Sequence, residues 1–335
     1  MKINRAELVE ALEIVKPGLA LNTNIDQATS FAFINGKVIT YNDEVSISHP
    51  IEDIGIFGAV EASVLYKYLG KLKQEEIEVK SEEKEIIITA GRSTAGFALQ
   101  STLRIPIDII SEEKSNWETL PGNFCEALEF ASGACSKSSI DEMDSVHVHK
   151  SGFVEGTDGF KVAHFMLGQE LLVDTFLLPS TSAIKVVRLE PDQIAFTEGW
   201  VHFKCESGTE ISCRILTEEF PDTAAILKVE GREIQLPKVF DVAVDRAMVF
   251  AKRQNALEEI ITIQLDKNRL TLSAKSETSR FEEVLNVRYT DEKIKMFVTP
   301  SLLKDILTKT QICEITEDKL IFKGENWIYI TMLRE

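Results

Sequence analysis

One helical pattern occurs three times in this chain at nearly constant spacing. LVEALEIV at Leu8–Val15 returns as FCEALEFA at Phe124–Ala131 and, in weaker form, as FDVAVDRA at Phe240–Ala247. The shared apolar positions recur at helical spacing, so each copy reads as an amphipathic helix. The offset is about 115 residues, longer than a solenoid unit and of the size of a duplicated domain.

A second pattern follows the first in every copy. ASVLYKYLGKLKQEEIEVKSEEKEIIITA starts at Ala62, STSAIKVVRLEPDQIAFTEGWVHFKC at Ser180 and PSLLKDILTKTQICEITEDKLIFKG at Pro300. Each reads as a short helix, a strand, a polar turn and another strand. Ser63, Ser182 and Ser301 are candidate N-caps, because a hydroxyl there satisfies an orphan helix amide. Strand pairs fill the rest. Asn35-Gly36 in FAFINGKVITY is a two-residue hairpin signal, and ITIQLDKNRLTLSA gives the same hairpin in the third copy. The fold class is therefore α+β, with tandem domains at 1–115, 116–229 and 230–335, each with two helices on one face of an antiparallel sheet. The links SEEKSNWETLPG and KVEGREIQLPK are weakly marked, and Pro121 and Pro237 precede a first helix, where proline is tolerated.

Composition narrows the function classes. With 335 residues, 44% hydrophobic and 27% charged, the chain has an ordinary soluble, globular composition without low-complexity runs. No window is long and apolar enough to span a bilayer, so no membrane partner is expected. Arg5, Glu7, Glu10 and Glu13 interrupt the apolar core a secretory signal needs. The five cysteines form no CxxC and are odd in number, which favours free thiols in a reducing cytoplasm over a disulfide framework.

The net charge of −17 argues by itself against nucleic acid. Its distribution argues otherwise. The second helix of each repeat is basic: Lys67 and Lys71 with Lys73 just beyond, Lys185 and Arg188, Lys304 and Lys309. Lys137, Arg246 and Lys252 add to the same set, while acids concentrate in strands and turns such as KQEEIEVKSEEKE. Screening acts within about 8 Å at physiological salt, so a local basic lining can attract phosphate inside an acidic shell. Solvated helix surface is the competing explanation. Three like domains in a row leave strand edges at the chain's two ends. A head-to-tail contact between them either closes or runs on as a filament. Closure by two copies gives six domains and twelve helices around one hole.

Catalytic signals are sparse. In FVEGTDGFKVAHF, Asp158-Gly159 is first of all a turn dipeptide, and Asp158 as a general base is the alternative. A hydrolase or transferase would pair Asp158 with His147 or His149. Those two histidines share a strand face at i, i+2, but no third metal ligand is evident, so they read as a surface pair. There is no phosphate-cradling glycine loop and no GxSxG. Neither catalysis nor a cofactor is expected.

Three stretches then carry a resemblance: TDGFKVA at Thr157–Ala163, EEFPDTAAIL at Glu218–Leu227 and the ending WIYITMLRE at Trp327–Glu335. With the triple domain plan, the chain resembles the bacterial DNA polymerase III beta subunit, the sliding clamp, over essentially its whole length. The first stretch is similar to that family's Thr-Asp-Gly-His-Arg-Leu-Ala, the second to its Phe-Pro-Asp-Tyr, and the third to a tail ending Met-Pro-Met-Arg-Leu. The resemblance implies tandem DNA-clamp domains, closed head to tail as a homodimeric ring around duplex DNA. Such a ring is a processivity factor in DNA replication that tethers a DNA polymerase and is placed by a clamp loader. Contact with DNA would be sequence-independent, through backbone charge rather than base edges. Lys67, Lys71, Lys73, Lys137, Lys185, Arg188, Arg246, Lys252 and Lys304 are the residues expected to face it.

The resemblance also implies a groove where short peptides of partners dock. The hairpin would give Thr157, Gly159, Phe160 and Val162, the segment after Phe220-Pro221-Asp222 would give Ile226 and Lys228, and the tail Ile330, Thr331, Met332, Leu333 and Arg334. Phe97 and the pair Val249-Phe250 match the family's dimer contact. The chain departs from the family at Phe160, where His is usual, at Lys228, where Pro is usual, and in its shorter length and Thr-Met-Leu tail ending in Glu335. A divergent or phage-encoded clamp fits these departures. A clamp-like protein that binds polymerase peptides without encircling DNA is the nearest rival.

Overall fold

The computed structural model describes residues 1–20, 25–51, 55–106, 116–136, 142–253 and 259–334. Lys137 and Glu335 fall outside them. The two expected helices are present in each third. The first helices are α1 (Arg5–Val15), α3 (Phe124–Ser132) and α6 (Phe240–Ala251). The second are α2 (Ala62–Leu69), α4 (Ser180–Leu189) and α7 (Ser301–Leu307). A short helix, α5 (Ala224–Leu227), was not foreseen. The repeats share a local device: the carbonyls of Pro121 and Pro237 each accept the amide of the phenylalanine that opens the next helix, at 2.9 Å.

The serine caps are not formed. Asn4 caps α1 with its side chain, accepting the amide of Ala6 at 2.8 Å. For α2, α4 and α7 the cap positions are Glu61, Pro179 and Pro300, and no side chain bonds there. The reason is the entry. Strands run straight into α2 and α4, so the cap falls on the last strand residue and Ser63 and Ser182 lie inside the first turn. In α7, Ser301 is already the first helical residue.

Strands of the first third are β1 (Lys2–Asn4), β2 (Ser30–Ile34), β3 (Lys37–Tyr41), β4 (Val45–Pro50), β5 (Gly58–Glu61), β6 (Glu76–Ser81), β7 (Glu85–Ala90) and β8 (Ser93–Ala98). Those of the middle third are β9 (Glu118–Thr119), β10 (Ser145–His149), β11 (Phe153–Thr157), β12 (Lys161–Met166), β13 (Phe176–Pro179), β14 (Gln193–Thr197), β15 (Trp200–Lys204) and β16 (Glu210–Arg214). The last third has β17 (Arg232–Gln235), β18 (Ile261–Asp266), β19 (Arg269–Lys275), β20 (Arg280–Asn286), β21 (Ile294–Val298), β22 (Ile312–Ile315), β23 (Lys319–Lys323) and β24 (Trp327–Met332). Both expected hairpins form: Asn35 and Gly36 have φ of 46° and 71°, and Lys267 and Asn268 have 46° and 63°. Two residues at positive φ match the strand twist of a tight hairpin.

Contacts group the described residues into two compact units, 1–126 with 171–217 and 127–170 with 218–335. In the first unit, one sheet runs β1-β6-β7-β8 and a larger one β5-β2-β3-β4-β16-β15-β14-β9. The larger sheet joins first and middle thirds, with Ile47 opposite Ile211. Buried Ala32, Ile39, Tyr41, Ala59, Ile105 and Trp200 form one of its apolar clusters. In the second unit, one sheet runs β20-β19-β18-β21, and strands β10-β11-β12-β24-β23-β22-β17 follow one another in the other. Here β12 of the middle third pairs with β24 at the chain's end, with Val162 opposite Ile330. The helices cover these sheets: Phe240, Ala243, Val244 and Ala247 of α6 are buried among Ile263, Leu270 and Leu272.

Candidate functional site: an apolar cavity at the hairpin and tail

The hairpin between β11 and β12 is fixed by its own side chains. Asp158 Oδ1 accepts the amides of Phe160 at 2.9 Å and Lys161 at 3.0 Å. Thr157 Oγ1 accepts the amide of Gly159 at 3.1 Å and donates to the carbonyl of Lys161 at 2.7 Å. Gly159 sits at φ +83°, where a side chain is strained. Lys161 is buried, and its Nζ donates to the Gly133 carbonyl at 2.7 Å. The Asp158 carboxylate is thus the acceptor of a turn, which is the reading the dipeptide favours over a general base. Behind it, Gly156 meets the end of α3: a Cβ there would lie 2.0 Å from the carbonyl oxygen of Ala131.

Pairing of β12 with β24 sets the tail beside this hairpin. The Met332 amide donates to the Phe160 carbonyl at 2.8 Å, and the Arg334 guanidinium lies 4.9 Å from the centre of the Phe160 ring. A cavity of about 140 Å³ opens there. Its walls include Thr157, Gly159, Phe160 and Val162 of the hairpin, Ile226 of α5, and Ile330 and Met332 of the tail. Met143, Lys161, Pro221, Asp222 and Thr223 complete it; the sequence marked Pro221 and Asp222 only as preceding the groove segment and assigned none of the five to the wall. Alternation along β24 separates the remaining tail residues. Thr331 is fully buried on the other face, and Leu333 packs against the apolar core of the second unit. Arg334 hydrogen-bonds its amide to the Phe297 carbonyl at 2.7 Å, outside the cavity wall. Lys228 is exposed at the end of α5 and is not part of the wall.

The two histidines of β10 are half-buried, and each stacks on a phenylalanine. His149 lies on Phe153 with ring centres 4.4 Å apart, and His147 on Phe220 at 4.7 Å. Burial, with His147 beside it, holds the His149 imidazole below the ordinary histidine value. Among the described residues no group of histidine, cysteine, aspartate or glutamate has the geometry of a metal site.

The residues expected to face DNA fall into two classes. Lys67, Lys71, Lys73 and Arg188 are exposed and Lys185 is half-buried, and none of these five forms an ion pair among the described residues. The cations of the last third are matched by acids. Arg246 is bidentate to Glu283 at 2.9 and 2.6 Å, Lys304 lies 3.2 Å from Asp245, and Lys252 lies 3.8 Å from Glu259.

Of the residues expected at a dimer contact, Phe97 is 7% exposed and packs on Tyr68 with ring centres 5.5 Å apart. Val249 is 72% exposed, and Phe250 stacks on Phe281 at 5.3 Å. Phe97 belongs to β8 and Phe281 to β20, each an edge strand of its four-stranded sheet.

No helix among the described residues is long and apolar enough to cross a membrane. No protein-family model matches the chain, and no curated protein does. Solved structures match it end to end. The chain is similar to the beta subunit from DNA polymerase of Streptococcus pyogenes, at 18% identity, over 100% of this chain and 99% of that one, with a TM-score of 0.85. It is similar to the DNA polymerase III beta subunit of Thermotoga maritima, at 17% identity, 100% and 98% coverage and a TM-score of 0.83. A sliding clamp of Pseudomonas aeruginosa bound to griselimycin matches at 15% identity, 100% and 99% coverage and a TM-score of 0.83. The resemblance read from three short motifs thus holds at the level of architecture, and along its whole length this chain has the fold of the DNA polymerase III beta subunits, the bacterial sliding clamps.

Proposed function

We propose that the chain is a DNA polymerase processivity factor: a sliding clamp that encircles duplex DNA and tethers a polymerase through the cavity between hairpin and tail. The observation that carries this reading is the end-to-end likeness to sliding clamps, covering 100% of the chain. The cavity supports the tethering half. Its volume of about 140 Å³ is near the ~150 Å³ of an apolar cavity known to take a benzene-sized group, so it suits one leucine or phenylalanine anchor. The role is non-catalytic and cytoplasmic, with three domains near 1–115, 116–229 and 230–335 and placement on DNA by a clamp loader.

In this reading two copies meet head to tail, the β8 edge of one against the β20 edge of the other. Exposed Val249 and Val284 then supply more new apolar contact than Phe97, which its own subunit already covers. The grip on DNA comes mainly from Lys67, Lys71, Lys73, Lys185 and Arg188. A second reading, peptide binding without encirclement, is favoured by the acid-matched cations Arg246, Lys252 and Lys304. Nicked circular plasmid decides between them. A clamp co-elutes with the circle and is released when the plasmid is linearised; a non-encircling protein never co-elutes, though it still binds peptide.

A further inference from the structure

Behind the cavity wall lies a buried charged cluster that an apolar docking site does not itself require. Glu155 of β11 is 4% exposed. Its Oε1 accepts the hydroxyl of Thr223 at 2.8 Å and faces Nδ1 of His164 at 2.7 Å, and its Oε2 faces Nδ1 of His147 at 3.4 Å. Strand register brings these groups to one face, with His147 opposite Glu155 on one side and His164 opposite it on the other.

The cluster holds both ends of one segment. Phe220 stacks on the His147 ring, with planes 24° apart, and Thr223 is tied directly to the Glu155 carboxylate. Between them Pro221 and Asp222 line the cavity. The Thr223 carbonyl then accepts the amides of Ile226 at 3.0 Å and Leu227 at 3.2 Å, which sets the short helix carrying Ile226 into the wall. A buried carboxylate is costly to desolvate, and well-packed apolar residues often serve stability better at such a place. What a carboxylate adds is direction: its hydrogen bonds fix where their donors sit.

We propose that Glu155 is a positioning residue of the docking cavity, fixing the Phe220–Ile226 wall to the sheet through Thr223 and His147 at the spacing an apolar anchor needs. The proposal rests on the peptide-docking reading above. Its test uses the full chain and a fluorescein-labelled nonapeptide ending in Leu-Phe, with binding read by fluorescence polarisation. Thr223→Val and Glu155→Gln each weaken binding about tenfold, the double variant is no weaker than either single one, and Thr223→Ser, which keeps the hydroxyl, recovers most of the affinity that Thr223→Val loses. Hydrogen exchange accelerates in 220–227 for the first two variants and not in the strands of the first unit. Unchanged binding by Thr223→Val, or losses that simply add in the double variant, overturns the positioning role and leaves the docking site standing. Failure of the unaltered chain to bind the nonapeptide overturns the docking reading and this one with it. Should Glu155→Gln not fold, Thr223→Val, which removes one hydroxyl at constant shape, still decides.

Discussion

At the scale of single residues, the two carboxylates of FVEGTDG differ in what they hold. Half-buried Asp158 accepts the amides of its own turn, whereas Glu155 is buried in a cluster of side chains. Burial pushes the Glu155 carboxyl up, but hydrogen bonds from His147, His164 and Thr223 outweigh it and bring it down to about 2. A carboxyl lowered in the folded state adds stability above its unfolded value, near ~4.3, and that stability is lost as pH falls towards the folded value. The size is about 3 kcal/mol. Denaturant titrations at pH 5 and pH 2.5 should therefore show a steeper acid loss for the unaltered chain than for Glu155→Gln; equal slopes would show that the carboxyl is not lowered. The cysteines make a second residue-scale expectation. Burial pushes the Cys125 and Cys205 thiols up to about 11 and those of Cys135, Cys213 and Cys313 to about 12. A thiol reagent at pH 8 should label the native chain slowly and all five sites once urea unfolds it. Asp158 was readable from its dipeptide. Glu155 was not, because its partners come from three separate segments, and strand alternation does not say that the three will converge.

At the scale of elements, β24 shows what alternation does to a run of residues chosen from sequence. Ile330 and Met332 line the cavity, while half-buried Leu333 packs against the core of the second unit. Met332→Ala should weaken peptide binding about fivefold with little change in stability. Leu333→Ala should cost about 2 kcal/mol of stability and leave the affinity of the folded protein unchanged. A paired measurement by polarisation and denaturant titration checks both, and the reverse pattern would place the wrong face in the wall. The helices and hairpins were legible because their signals are local: 3.6-residue periodicity, Asn-Gly, proline before a first turn. The serine caps of α2 and α4 failed because a strand that runs directly into a helix leaves the cap position to its own last residue, and that of α7 because the helix begins at the serine itself. The pairings of β4 with β16 and β12 with β24 had no sequence signal, since each joins segments far apart in the chain. The cavity inherits that blindness, and Met143 and Thr223 enter it only through folding.

At the scale of the whole molecule, a net charge of −17 sets a condition on any hold over DNA. A long-range field of that sign repels duplex DNA, so affinity through contact alone should be poor, and the unpaired cations on α4, on α2 and in the loop just after α2 act only at short range. Enclosure removes the need for tight contact. The two mechanisms separate by salt. A protein held by six to ten phosphate contacts loses roughly 10³- to 10⁵-fold in affinity between 50 and 200 mM salt. A closed ring on a closed circle has no comparable loss, because escape requires opening the subunit contact rather than leaving the phosphates. Retention on nicked circular DNA should therefore change less than about threefold over that salt range, and linearising the DNA should abolish it at every salt concentration. Reversing Lys185 and Arg188 to glutamate should lower the amount retained more than reversing Lys304, whose charge Asp245 already offsets. A retention that falls steeply with salt on circular DNA, equally on linear DNA, would mean that the chain holds by contact, and the ring would have to be given up even with the fold intact.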